Sequence, residues 1–204
     1  MLKLGFLASR NGSSMRAIVK AAEEGRLAAE PCLLVSNRAD APALAFAGEH
    51  GMATLVIPTK ADPEAADDAL ALALKTAGVE LVVLSGYLRK LGPKTLAAFH
   101  GRVLNIHPAL LPRFGGEGMF GRRVHEAVAA ARVTVTGATV HVVDGEYDHG
   151  PIVAQLEIPL TPGATAEDIE HAVTTAEPGF FVEILQRIAS GGLKLPPGKP
   201  NANF

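Results

Sequence analysis

The sequence predicts an α/β fold in which an open, mostly parallel sheet carries helices on both faces. Short apolar runs rich in Val, Ile and Leu alternate with Ala-rich segments of helical length, as in chains where crossover helices connect parallel strands. From Val133 onward, two runs of loosely alternating polarity follow each other with a short connection. This spacing predicts an antiparallel pair that extends the parallel sheet.

Strands and helices are expected to alternate through the first half of the chain. The strands are predicted at residues 2–8, 33–36, 53–57, 80–84 and 103–106. The helices are predicted at residues 14–26, 41–50, 63–77 and 93–99. Pro42, Pro63 and Pro93 stand close to three of these helix starts, where a missing N–H leaves no hydrogen bond unmade.

The second half contains the antiparallel pair and one further helix. The pair is predicted at residues 133–143 and 152–158. The last helix is expected to begin after Thr165, whose hydroxyl can cap it together with Asp168, and Pro178 is expected to kink or divide it. We expect residues 1–190 to form a single domain and residues 191–204 to form a poorly structured tail.

Composition excludes several classes of protein. The 204 residues include 19 Lys and Arg against 21 Asp and Glu, a formal net charge of −2, which argues against a surface built to bind nucleic acid. The single cysteine, Cys32, cannot form an internal disulfide and is expected to be buried in a strand. No apolar run approaches the about 20 residues that span a bilayer, and the N-terminus lacks the features of a signal peptide. We therefore expect a cytoplasmic protein with no membrane partner; the sequence carries no signal for an oligomeric state.

The first polar stretch that could carry chemistry is the turn at residues 9–14, Ser-Arg-Asn-Gly-Ser-Ser, here named the 9–14 turn. It lies between the first strand and the first helix, where free N–H groups and the helix dipole favour a phosphate. The alternative is that Ser13 or Ser14 merely caps the helix. The turn matches neither G-x-G-x-x-G nor the Walker pattern, which disfavours a nicotinamide-dependent dehydrogenase and an ATP site.

Two further stretches could supply acid/base chemistry. Asn105 and His107 point to the same side of a strand, so an amide donor and an imidazole can converge on one atom, as acyl transfer requires. The alternative is a loop held by side-chain hydrogen bonds. The acidic loop at residues 144–151 has the composition of a solvated turn, but a carboxylate from it could reach His107 and favour its protonated form.

Taken together, these stretches resemble the folate-dependent formyltransferase family, and within it the phosphoribosylglycinamide formyltransferases. The resemblance covers residues 1 to about 185 in the same order. It rests on the 9–14 turn, on Ser-Asn-Arg-Ala-Asp at residues 36–40, on Leu-Ser-Gly-Tyr-Leu-Arg-Lys-Leu at residues 84–91, on Asn-Ile-His-Pro-Ala-Leu-Leu-Pro at residues 105–112 and on Asp148-x-Gly-Pro. We expect neither the additional C-terminal domain of methionyl-tRNA formyltransferase nor the additional N-terminal domain of formyltetrahydrofolate deformylase.

The resemblance implies a Rossmann-like formyltransferase fold and a reaction in de novo purine biosynthesis. A formyl group would pass from 10-formyltetrahydrofolate, the co-substrate, to the amine of 5-phosphoribosylglycinamide, with small-molecule partners only and no metal. It assigns catalysis to Asn105, His107 and Asp148, with a protonated His107. It assigns the substrate phosphate to Gly12, Ser13 and Ser14, and a ribonucleotide contact to Glu177. The folate contacts it implies are Leu88, Arg89, Lys90, Leu91, Val140, His141, Val142, Val143 and Asp144.

The chain departs from the commonest family pattern at three places. Residues 113–125 are rich in glycine where a Pro-Gly-Leu-His-like segment is usual, His149 stands where Gly is common, and Pro178 follows Glu177. The remaining histidines match no family role and are expected at the surface or beside the site.

Two alternatives from other classes stay open on the sequence alone. A 10-formyltetrahydrofolate hydrolase, or deformylase, would use the same three catalytic residues but would lack an amine site. A non-catalytic folate- or nucleotide-binding protein would keep the sheet and lose one of the three.

Overall fold

The computed structural model describes residues 1–197, and this part of the chain contains seven strands and six helices. The strands are β1 (Leu2–Leu7), β2 (Ala29–Ser36), β3 (Ala53–Val56), β4 (Leu81–Leu84), β5 (Val103–His107), β6 (Val135–Val142) and β7 (Ile152–Pro159). The helices are α1 (Ser13–Glu23), α2 (Pro42–Glu49), α3 (Pro63–Thr76), α4 (Pro93–Ala98), α5 (Arg122–Ala130) and α6 (Ala166–Ala189).

All seven strands form one sheet in the order β3-β2-β1-β4-β5-β6-β7. The strands from β1 to β5 pair in parallel, whereas β5 with β6 and β6 with β7 pair antiparallel. The predicted fold class is therefore confirmed, including its antiparallel extension.

Each face of the sheet carries its own apolar core. Leu4 and Phe6 of β1 pack with buried residues of α1, α2 and α6, whereas Leu7 packs with buried residues of α3 and α4 on the other face. Gly5 lies close beneath α3, since a Cβ there would lie 2.8 Å from the Leu74 side chain. A third, smaller cluster joins α5 to α6.

Several local predictions need correction. Helix α5 was not predicted, because it follows a glycine-rich stretch and its N-cap, Gly121, provides no side-chain cap. Pro178 does not divide α6, whose buried residues hold it against α1 and α5 as one continuous helix. Cys32 is partly exposed rather than buried. Leu193 and Leu195 of the expected tail pack against the core, and residues 198–204 lie outside the described part of the chain.

Asp67 of α3 caps the neighbouring helix α4. Its carboxylate accepts hydrogen bonds from the backbone N–H groups of Lys94 and Thr95 and from the Thr95 hydroxyl. Gly92, the N-cap residue, has no side chain to do this, and a Cβ at Gly92 would lie 2.3 Å from the Asp67 carboxylate. The cap therefore comes from another helix.

We expect Asp67→Ala to lower the free energy of unfolding by about 2 kcal/mol, because it leaves buried donors at the start of α4 without an acceptor. Urea denaturation measures this change. Asp68→Ala is the matched control, since Asp68 is exposed and pairs only with the Lys94 ammonium at the surface. Equal losses in the two variants would contradict the capping role of Asp67.

Within residues 1–197, no helix is both long and apolar enough to cross a membrane.

Candidate active site

The antiparallel pairing of β5 and β6 brings polar side chains together at the carboxyl end of β5. Asn105 lies opposite His141, and His107 lies opposite Thr139. The loop that joins β6 to β7 returns to the same edge and places Asp148 beside both histidines. Four side chains from three segments of the chain therefore form one cluster.

Asp148 bridges the two histidines of this cluster. One carboxylate oxygen lies 3.4 Å from Nδ1 of His107, and the other lies 3.5 Å from Nε2 of His141. The backbone N–H of Gly116 donates to the same oxygen that faces His107, at 3.0 Å. Burial alone would raise the pKa of Asp148, but the neighbouring His141 ring, the charge of His107 and the Gly116 N–H outweigh it and lower that pKa. Asp148 is therefore an anion at neutral pH.

His107 lies between two acceptors. Its Nε2 donates to the carbonyl oxygen of Phe114 at 2.8 Å, and its Nδ1 faces the Asp148 carboxylate. An imidazolium satisfies both partners, whereas a neutral ring satisfies only one. Burial acts against the charge, since only 3% of His107 is exposed, and it lowers the pKa of His107 more strongly than Asp148 and the Phe114 carbonyl raise it. Burial therefore favours the neutral form of His107, whereas the sequence predicted the protonated form.

His141 orients the Asn105 amide, a contact that sequence reasoning missed. Nδ1 of His141 lies 3.1 Å from the carbonyl oxygen of Val142, and in the tautomer that donates to this oxygen Nε2 is an acceptor. The Asn105 atom 3.1 Å from that Nε2 is Nδ2, which donates one of its two N–H groups. The second N–H remains for a ligand. Only the β5–β6 register, which the sequence does not reveal, identifies this pair.

The backbone around the cluster is constrained at two non-glycine positions. Phe114 and Asp148 have φ values of 59° and 54°, in the left-handed region that such residues rarely adopt. Phe114 supplies the carbonyl for His107, and Asp148 supplies the carboxylate. Gly150 follows, where a Cβ would lie 1.8 Å from the Val142 carbonyl oxygen, so the loop passes directly against β6.

A cavity of about 530 Å³ opens at this cluster. Asn105, His107 and Asp148 line one side, and the glycine-rich segment of residues 116–121 lines another. A smaller cavity of about 90 Å³ adjoins it, and Tyr87 and Tyr147 line both. The volume suits a small organic ligand, and the polar groups converge at its inner end.

Of the residues expected to contact folate, seven line the two cavities and two are buried in the core. Leu88 lines the larger cavity, and the smaller cavity is lined by Arg89, Lys90, Leu91, His141, Val143 and Asp144. Val140 and Val142 alternate with these along β6 and bury their side chains in the first core, so only their backbone could face a ligand.

The 9–14 turn has the backbone arrangement of an anion site. Gly12 is left-handed, with φ 64° and ψ 47°, and provides no side-chain cap for α1. The Ser85 hydroxyl accepts the N–H of Met15, in the third helical position. The N–H groups of Ser13 and Ser14, in the first two positions, have no intrahelical acceptor and point out of the helix start.

Glu177 lies on α6 and lines neither of the two cavities at this cluster. Burial raises the pKa of its carboxyl group to about 7, although some of the residue surface reaches solvent. His141, expected at the surface or beside the site, is buried beside it, and His125 is buried on α5. In residues 1–197, no group of three or more His, Cys, Asp and Glu side chains could hold a metal ion.

Comparison with known proteins gives one consistent result. A family model described as formyl transferase matches residues 2–185. Phosphoribosylglycinamide formyltransferase of Haemophilus influenzae is 32% identical over 197 residues, which cover 96% of this chain and 91% of that protein. The chloroplastic phosphoribosylglycinamide formyltransferase of Arabidopsis thaliana is 36% identical, with 94% of this chain and 67% of that protein covered. The chain thus spans about two thirds of the plant relative.

Solved structures agree with the sequence comparison. The crystal structure of glycinamide ribonucleotide transformylase 1 from Symbiobacterium toebii superposes with a TM-score of 0.86 at 34% identity. The superposition covers 96% of this chain and 91% of that one.

Proposed function

This chain belongs to the formyl transferase family, and from that membership we propose that it transfers a formyl group from 10-formyltetrahydrofolate to the amine of 5-phosphoribosylglycinamide. The observation that carries the proposal is the convergence of Asn105, His107 and Asp148 on one cavity. The names of its relatives support the same substrate.

The ribonucleotide amine is itself the nucleophile, so no covalent enzyme intermediate is needed. Its attack on the formyl carbon gives a tetrahedral species whose oxygen becomes negative. The N–H of Asn105 that is not directed at His141 donates to this oxygen, and His141 keeps the amide from rotating. Holding the two substrates side by side in one cavity supplies a further part of the rate.

His107 supplies positive charge and a proton path. As the oxygen becomes anionic, it favours the imidazolium, which Asp148 also favours. A proton must leave the attacking nitrogen and reach N10 of the folate as the C–N10 bond breaks. For Nε2 of His107 to take part in this proton transfer, its hydrogen bond to the Phe114 carbonyl oxygen must break. The glycine-rich segment that follows Phe114 supplies the backbone freedom for this change.

The 9–14 turn would bind the substrate phosphate, and this distinguishes the transferase from a deformylase. We expect tetrahydrofolate release, followed by absorbance, to require the ribonucleotide, and the dephosphorylated nucleoside to be a poor substitute. Ser13→Asp should raise the ribonucleotide KM about tenfold or more with little change in the folate KM, because the new anion opposes the phosphate.

Ser13→Ala is the matched control, since it removes the hydroxyl and keeps the backbone N–H; its KM values should stay close to those of the wild type. Ser13→Asp should also keep the fold, because an acidic residue complements the helix dipole. Rapid release of the folate product with water alone, unaffected by the ribonucleotide, would show a deformylase instead.

A further inference from the structure

Arg16 of α1 makes three contacts behind the 9–14 turn. Its Nε donates to the carbonyl oxygen of Asn11 at 2.8 Å, and its Nη2 donates to the carbonyl oxygen of Pro42 at 3.2 Å. Its guanidinium carbon lies 4.5 Å from the centroid of the Phe46 ring. A planar cation held by two acceptors and an aromatic face has little freedom left, so the side chain is fixed.

The bond to Asn11 determines how the next peptide group is oriented. In a planar trans peptide, the C=O and the N–H point in opposite directions. Because Arg16 holds the Asn11 oxygen, the N–H of Gly12 points away from the guanidinium. Gly12 then turns through its left-handed conformation into α1, and successive N–H groups in such a turn form an anion-binding concavity.

A second bond fixes the same turn from α2. The backbone N–H of Ala43 donates to the carbonyl oxygen of Arg10 at 3.1 Å. Two successive carbonyls of the turn, those of Arg10 and Asn11, are thus held by groups outside it. Of these two bonds, only the one from Arg16 brings a positive charge.

We infer that Arg16 is a positioning residue for the ribonucleotide phosphate. It holds the 9–14 turn in the conformation that presents the N–H groups of Gly12, Ser13 and Ser14 to one anion, and it places a cation behind them. This inference rests on the proposed function, which requires a phosphorylated substrate.

A second contact between α1 and α2 allows a purely structural role of Arg16 to be tested separately. The Phe46 ring stacks on the His50 ring at 4.0 Å, and Nδ1 of His50 lies 2.7 Å from the Glu23 carboxylate. The contact between α1 and α2 therefore has a second polar anchor, which does not touch the turn. Glu23→Gln weakens this anchor alone and serves as the matched control.

The experiment compares Arg16→Met, Arg16→Lys and Glu23→Gln on glycinamide ribonucleotide and on its dephosphorylated nucleoside. Arg16→Met should raise the ribonucleotide KM about tenfold, with kcat and the folate KM within about twofold of the wild type. On the nucleoside, kcat/KM should be unchanged, because there is no phosphate to position. Arg16→Lys should raise the ribonucleotide KM about threefold, since it keeps the charge but lacks the planar fork whose Nε and Nη2 bond the two carbonyls. Glu23→Gln should leave every constant unchanged.

The inference is overturned if Arg16→Met lowers kcat/KM equally on the ribonucleotide and the nucleoside, or if Arg16→Met and Glu23→Gln change the ribonucleotide KM equally. Arg16 would then be a packing residue. Thermal unfolding identifies a variant that fails to fold. If Arg16→Met fails to fold, the Arg16→Lys variant tests the inference in its place. A ribonucleotide KM equal to that of the wild type in Arg16→Lys then overturns the inference. Ser13→Asp runs beside these variants. If Ser13→Asp raises the ribonucleotide KM and Arg16→Met does not, only the inference about Arg16 is overturned. If the wild type uses the ribonucleotide and the nucleoside equally well, the proposed phosphate site and the inference are both overturned.

Discussion

Replacing either Asn105 or His107 by Ala is expected to slow formyl transfer by about 10²-fold or more while the fold persists. Asn105→Ala removes the N–H that faces the developing oxyanion and leaves Nε2 of His141 without its donor. His107→Ala removes the imidazole that lies between the Phe114 carbonyl and the Asp148 carboxylate. Steady-state kcat with saturating substrates measures both effects.

The matched control for His107→Ala is His171→Ala, because His171 lies on the exposed face of α6 and takes no part in the cluster. Its kcat should equal that of the wild type. Thermal unfolding of each variant shows whether the fold persists. Turnover close to normal in both Asn105→Ala and His107→Ala would rule out the proposed centre.

Asp148→Asn is expected to lower kcat and to move the alkaline limb of the rate profile to lower pH. Burial already lowers the pKa of His107, and the Asp148 charge is the largest influence that opposes this. Without that charge the pKa of His107 falls further. A step that needs the imidazolium is lost as pH rises through this pKa, so the loss begins at a lower pH in the variant.

A pH–rate profile of kcat/KM measures this displacement. Glu157→Gln, on the exposed side of β7, removes an equal charge away from the cluster and should leave the limb in place. An unmoved limb in Asp148→Asn with a lower rate would mean that Asp148 acts by orienting its neighbours. In that case the hydrogen bond that it accepts from Gly116 and its contact with His141 carry the effect.

The sequence predicts those parts of the site that depend on local periodicity. Asn105 and His107 share a face because side chains two apart in a strand do so, and the structure places both at one cavity. The 9–14 turn follows the first strand, which places it at the carboxyl edge of a parallel sheet. Asp148 was identified through the family resemblance, since an acidic loop by itself indicates only a turn.

Contacts that depend on register or on tertiary packing could not be predicted in this way. His141 lies opposite Asn105 only because β6 runs antiparallel in one particular register. The Phe114 carbonyl reaches His107 through a left-handed residue, and no sequence rule places Phe there. Asp67 caps a helix to which it does not belong, and Arg16 reaches a carbonyl of α2. Each of these contacts joins segments whose mutual position is set by the whole core.

The aromatic lining of the cavities gives this protein an intrinsic optical reporter. The sequence has no tryptophan and only two tyrosines, Tyr87 and Tyr147, and both line the two cavities beside the cluster of Asn105, His107, His141 and Asp148. Burial raises the pKa of Tyr87 to about 12, so its ring stays a neutral phenol throughout the useful pH range. Both side chains whose fluorescence is excited near 280 nm are therefore at the site. Tyrosine emission should report occupancy of the cavities by the formyl donor directly, without the background that emission from distant tryptophans adds in most enzymes.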